Sequence, residues 1–165
     1  MEVFISIVLA AIYGNGMEWV LHKYLFHEMG KKKSSPWSFH LHEHHKDVRR
    51  DSFVEKKYGT NIFSWSTIKD REFIALLALL VIHFPIAFLF PYFFIGITLH
   101  AMAYYLIHRK SHCDEEWAKK YVPWHWDHHM GPSESINANW CVTFPLFDWI
   151  MNTRIKHHNK QREKL

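Results

Sequence analysis

The sequence predicts an all-α fold: an integral-membrane helical bundle of three to four transmembrane helices, with a cytoplasmic helical cap that carries the histidines. Three observations predict it. Apolar runs at 3–26, 73–90 and 92–107 approach or exceed the ~20 residues that cross a bilayer core. Fifteen of the 165 residues are histidine, and most fall in clusters at the ends of those runs or in the polar segments that follow them. Lys and Arg concentrate in 28–70 and in everything after His108, which three spans would place on one side. The excess of positive charge makes that side cytoplasmic and puts the N-terminus opposite.

The elements follow in order. The first run is interrupted by Gly14-Asn15-Gly16 and then by Glu18, so its lower half should be buried against protein rather than lipid. Residues 28–70 are polar, basic and rich in histidine, too long for a turn, and expected to be structured. Pro91 breaks the next apolar stretch, so 73–90 and 92–107 read as a helical hairpin with its tip near Phe90-Pro91. The aromatic stretch 140–151 reads as a short helix on or dipping into the interface, or as a re-entrant fourth span. The basic tail from Arg154, with His157-His158, reads as solvated. Residues 1–165 make one domain.

Composition excludes several classes. The net charge of +4 lies beside apolar segments, which suits a membrane face and not nucleic acid. Cys113 and Cys141 form no CxxC and suggest no disulfide framework. The start of the chain lacks a basic leader and a small-residue cleavage site, so it reads as a retained helix. Trp19, Trp37, Trp124, Trp126, Trp140 and Trp149 read as interfacial anchors or core.

Four histidine clusters carry the chemistry: His22…His27, His40…His44-His45, His108…His112 and His125…His128-His129. Residues at i, i+3 and i+4 share a helix face, so HxxxH and HxxHH aim their rings at one point. In HxxxxH an α-helix would turn the second ring roughly 140° from the first. Such a pair would serve two ions or need a helix end between its members. One HxxxH arises often by chance; four on one membrane face do not. Ten imidazoles exceed the needs of one four-coordinate ion and suit two metals with five or six ligands each. Imidazole accepts Zn, Cu, Fe and Ni. Carboxylate sites built on Glu-x-x-His find no counterpart, and Glu18/His22 at i, i+4 is a weaker match.

The ordered set HxxxxH, HxxxHH, HxxxH, HxxHH resembles the fatty acid hydroxylase and sterol desaturase superfamily of membrane histidine-box di-iron enzymes. The first box, Glu18-Trp-Val-Leu-His22 through His27, is similar to that of β-carotene hydroxylases. The run from His128-His129 through Asn139-Trp140 to Asp148…Thr153 is closer to the fatty acid and sterol branch. The resemblance implies metal ligation by His22, His27, His40, His44, His45, His108, His112, His125, His128 and His129. The second box departs from the HxxHH spacing, because Leu41 stands where that spacing has histidine, so its leading ligand is His40 or His42. Asn139 stands where a relative could ligate through water.

What the resemblance implies is hydroxylation of a lipid C–H bond, the lipid being fatty acyl, sterol-like or carotenoid. It implies two iron ions, replaceable by zinc in a recombinant protein, with O2 as cosubstrate. No fused haem or flavin unit is visible, so a separate ferredoxin or cytochrome-type donor would supply electrons. A desaturase on the same scaffold is the neighbouring reading. A His-rich metal transporter would want polar residues through the spans. A bis-His haem protein would pair His83 and His100 across the hairpin and leave four clusters unexplained; a hydrogen-bonded structural pair suits these two better.

Overall fold

The structure is a computed structural model and describes residues 1–62 and 64–157; His158 lies outside them. The described residues are helical and connecting, with no strand. Helix α1 (Glu2–Val20) continues without a break into a π-helical turn, Leu21–Glu28, and a 3₁₀ turn, Met29–Lys31. A second π-helical turn, His40–His44, runs into α2 (His45–Arg50). Then come α3 (Trp65–Ile68), α4 (Arg71–His83) with a 3₁₀ extension to Phe88, and α5 (Pro91–Ser111). Helices α6 (Glu115–Tyr121), α7 (Pro123–Met130) and α8 (Leu146–Ile150) complete the chain.

Local chemistry sets these boundaries. Ser64, Asp70 and Asp114 cap α3, α4 and α6, each accepting a backbone N–H of the first turn. Pro91 and Pro123 open α5 and α7, where a missing N–H costs nothing. The hairpin tip therefore falls where the sequence places it. Two helical stretches, Glu2–Lys31 and Arg71–Phe88, are long and apolar enough to cross a membrane. The third expected span, α5, has the length, but His100, Tyr104, Tyr105 and the His108-Arg109-Lys110 end lower its apolarity. The stretch 140–151 is a buried strap followed by the one-turn α8, not a span; Trp149, Ile150 and Met151 on α8 are exposed.

The Gly14-Asn15-Gly16 segment does not interrupt α1. It lets α1 lie close against its neighbours. A Cβ on Gly14 would strike the His100 ring, one on Gly16 the Phe147 ring, and one on Gly96 the Cβ of Ala10 at 2.5 Å. Buried polar groups of α1 then fasten the strap. Asn15 Nδ2 donates to the Phe144 carbonyl at 2.6 Å, and its Oδ1 accepts Phe147 N–H at 3.2 Å. Glu18 accepts from Val142 N–H, Thr143 N–H and the Thr143 hydroxyl at 2.7, 3.0 and 2.6 Å. Beneath α2, α6 and α7 a second core forms from Val48, Phe53, Ala118, Val122 and Trp126.

Gly96→Ala should cost roughly 1–3 kcal/mol, the usual range for overpacking. Gly59→Ala should be near neutral, because its Cβ would meet nothing within 4 Å. Thermal unfolding of the two variants in the same detergent checks this.

Candidate metal centre

The structure gathers all ten histidines of the four clusters, every one buried, at the end of α1 and α5 beneath α2 and α7. Nine form two groups. In the first, one ring nitrogen from each of His22, His27, His40, His45 and His128 lies within 4.8 Å of every other. His44, His108, His112 and His129 form the second by the same measure. His125 stands beside the second group, its Nε2 3.0 Å from His112 Nε2. Both His-His doublets divide: His45 and His128 face the first group, His44 and His129 the second.

The π-helical turns explain the spacings. A π-turn bonds i to i+5, so residues five apart share a face. His22 and His27 therefore point the same way, with ring centroids 5.1 Å apart. The 140° divergence expected of an α-helix does not occur. His40 and His45 are also five apart, and His45 N–H bonds back to the His40 carbonyl. His40, and not His42, joins the first group: its Nε2 lies 2.8 Å from His22 Nε2. His42 is exposed and reaches the Lys31 carbonyl instead.

Four of the rings are held by hydrogen bonds through Nδ1, and a fifth, His108, has a carboxylate beside its Nδ1. His22 donates to the Trp140 carbonyl at 2.6 Å, His128 to Ala138 at 2.6 Å and His112 to Phe53 at 3.0 Å. His44 donates to Glu55 at 2.6 Å, and His108 Nδ1 lies 2.5 Å from Glu72 Oε1. Glu72 is held in turn by the Tyr58 hydroxyl at 2.5 Å. Phe53, whose carbonyl holds His112, sits at φ 73° and is fully buried, a costly backbone for a bulky residue. A carbonyl or carboxylate only accepts, so in each neutral ring Nδ1 keeps the proton and Nε2 presents a bare lone pair. The sequence reading missed Glu55, Tyr58 and Glu72. They sit in polar stretches among surface charges, with nothing in their spacing to mark them.

Burial pushes His40, His44, His45, His112, His125 and His129 well below the ordinary imidazole range. Neighbouring imidazoles push the same way. Burial also lowers His128 to about 4, against the pull of the Ala138 carbonyl. At neutral pH these rings are uncharged, the form a metal needs. Both nitrogens of His27 and of His129, and Nε2 of His44, are buried without any partner. Lone pairs crowded at about 3 Å and orphaned nitrogens fit cations held between the rings. The donors are all nitrogen, which suits iron or zinc and argues against magnesium or calcium.

Residues 7–153 match the fatty acid hydroxylase family. The chain belongs to the fatty acid hydroxylase family. No curated protein and no solved structure matches it. In this family member the run from Asn139 to Thr153 is a bracket behind the centre. Asp148 accepts Trp140 N–H and Cys141 N–H at 2.8 and 2.9 Å and the Thr153 hydroxyl at 2.7 Å. This fixes the Trp140 carbonyl that holds His22.

Asn139, read as a water-mediated ligand, has its amide turned away from that role. Its oxygen accepts from Arg154 Nη1 and Ile155 N–H, each at 2.9 Å, and its nitrogen donates to the Ile155 carbonyl at 3.0 Å. Nor do His83 and His100 pair with each other. His83 Nε2 accepts from the Tyr13 hydroxyl at 2.8 Å, and His100 Nε2 lies 2.6 Å from Glu18 Oε1.

Two outcomes follow. Below pH 6.5 the unfolded chain binds protons that the folded, metal-free protein refuses, so stability falls as pH drops from 6.5 towards 4. His128 alone would remove roughly 3 kcal/mol across that window. Chemical denaturation at stepped pH should show the loss for the metal-free protein. Glu72→Gln should keep the fold and weaken metal affinity about 10- to 100-fold, the usual effect of losing an orienting carboxylate; competition with a chelator reads it.

Proposed function

We propose that the chain is a membrane di-iron oxygenase that hydroxylates a C–H bond of a lipid, using O2 and electrons from a separate ferredoxin or cytochrome-type donor. One observation carries the reading: an apolar cleft between α1, α4 and α5 ends on the first histidine group. Met17, Leu21, Leu76, Leu80 and Ile97 line it, and His22 lies at its inner end with Phe26 and Glu72. An alkyl chain lying there would bring its carbons to the metal centre from the bilayer side. Fatty acyl, sterol-like and carotenoid chains all suit its walls.

The ten clustered histidines would hold two iron ions, and zinc would accept the same nitrogens. The bound metals would supply O2 activation and the oxidising power to cleave an unactivated C–H bond. The chain's own residues do the rest. Nδ1–H donation to Trp140, Ala138, Phe53 and Glu55 fixes which nitrogen His22, His128, His112 and His44 offer. The burial of all ten rings excludes water, which would quench the oxidant. The aliphatic cleft orients the substrate and restricts which carbon approaches. The excess of Lys and Arg in 28–70 and beyond His108 supports a cytoplasmic centre, with the N-terminus on the opposite side.

The same arrangement serves a desaturase, which differs only in the fate of the second hydrogen. A metal transporter is disfavoured, because the cleft that runs along α1, α4 and α5 is apolar. Bis-His ligation of haem is disfavoured by the separate partners of His83 and His100.

Iron-loaded protein in lipid nanodiscs, given O2, a reductant and mixed fatty acid, sterol and carotenoid substrates, should yield a hydroxylated lipid. His128→Ala should keep its helical circular dichroism and lose more than about 100-fold in rate, beyond the loss of an outer partner. Product from metal-free protein, or an unimpaired His128→Ala, would contradict the reading.

A further inference from the structure

A second, polar cleft of about 310 Å3 opens on the other side of the histidines, between the 39–47 segment, the 55–71 segment and α5. It reaches His44. Its carboxylates are already engaged. Glu43 pairs with Arg71 at 2.5 Å, Asp47 with Arg50 at 2.9 Å, and Glu55 and Asp70 both with Lys57 at 3.2 and 3.5 Å. Two lining cations are left. Lys69 lies over the Trp65 ring. Arg109 is 9% exposed and is held only by neutral acceptors: the Thr60 carbonyl, Thr67 Oγ1 and the Tyr105 hydroxyl. Among the described residues no carboxylate comes within ion-pair distance of it.

A guanidinium buried without a counter-charge is costly, and an anion would relieve it. Thr60, Ser66 and Thr67 add hydroxyl-bearing side chains to the same wall. A small neck adjoins both clefts. It shares Phe26, Glu72 and Tyr104 with the apolar one, and Phe39, His44 and Lys57 with the polar one. Chain-binding and anion-binding surfaces therefore flank a single centre.

We propose that the polar cleft binds the anionic headgroup of the lipid, a carboxylate or phosphate, through Arg109 and Lys69, while the chain lies in the apolar cleft. This rests on the lipid-oxygenase reading and narrows it to anionic amphiphiles. The forked guanidinium takes two headgroup oxygens at once. The rings of Phe26, Phe39 and Tyr104 line the neck between the two clefts.

Equilibrium binding to the full chain in nanodiscs tests this with hexadecanoate, hexadecyl phosphate and methyl hexadecanoate, and with inorganic phosphate as the free-anion probe. The two anionic lipids should bind about 10- to 100-fold more tightly than the ester, the scale of a charge-assisted hydrogen bond. Arg109→Gln should bring them to the ester's level and leave ester binding unchanged, and Arg109→Lys should restore part of the difference. Lys69→Glu, at an exposed position, should weaken the anionic lipids several-fold and spare the ester, even if Arg109→Gln does not fold.

Equal binding of anions and ester by the wild type would overturn the proposal. So would ester binding that falls in step with the anions in Lys69→Glu. Inorganic phosphate that binds through Arg109 while anionic lipids gain nothing over the ester would mark a free-anion site and overturn it too. A wild type that prefers anionic lipids but oxidises none of them would fail the oxygenase reading and leave the headgroup site standing.

Discussion

Everything in this protein answers to one constraint: buried imidazole nitrogens with bare lone pairs are brought together at about 3 Å. Alone, that arrangement is unfavourable. Each buried nitrogen without a partner costs about 1–3 kcal/mol, and like-facing lone pairs repel. A cation between them reverses the sign. The surrounding structure makes sense as the apparatus that holds the rings in place before a metal arrives. Four Nδ1–H bonds choose the free nitrogen, two π-turns choose the direction, and burial keeps the rings neutral.

The holding apparatus is spread widely along the chain. Trp140 and Ala138 orient His22 and His128, and the amides that follow their carbonyls are tied down, Cys141 N–H by Asp148 and Asn139 N–H by the Thr153 carbonyl, while Asn15 and Glu18 anchor the strap to α1. Glu18 also meets His100, so α1, α5 and the strap join at one carboxylate. This close packing relies on Gly14, Gly16 and Gly96, where side chains would collide. The acidic residues beside the histidines thus act as supports, not as ligands. That differs from carboxylate di-iron bundles, in which the acids themselves reach the metal.

Much of this was legible in the sequence. The hairpin tip followed from Pro91, and the ten histidines from the ordering of four boxes at the ends of apolar runs. What misled was the assumption of a 3.6-residue period. His22 and His27 looked divergent on an α-helix, and only an i→i+5 turn aligns them; no local propensity announces such a turn. The interruption of the apolar run at Gly14-Asn15-Gly16 and Glu18 marked the half of α1 that packs against protein, and Gly14, Asn15, Glu18 and Trp19 are buried there. Glu55, Tyr58 and Glu72 were invisible because their partners lie 11 to 50 residues away in the chain. Asn139 was read as a water-mediated ligand, but its amide serves Arg154 and Ile155.

The central claim is that two separate sets of imidazoles each hold one ion. Metal analysis of the protein after anaerobic Fe(II) loading and removal of excess metal tests it most directly. The proposed di-iron reading predicts two iron atoms per chain, both lost together with helical stability on acidification below pH 6.5. A preparation that folds fully and retains none, or that saturates at one, would contradict it.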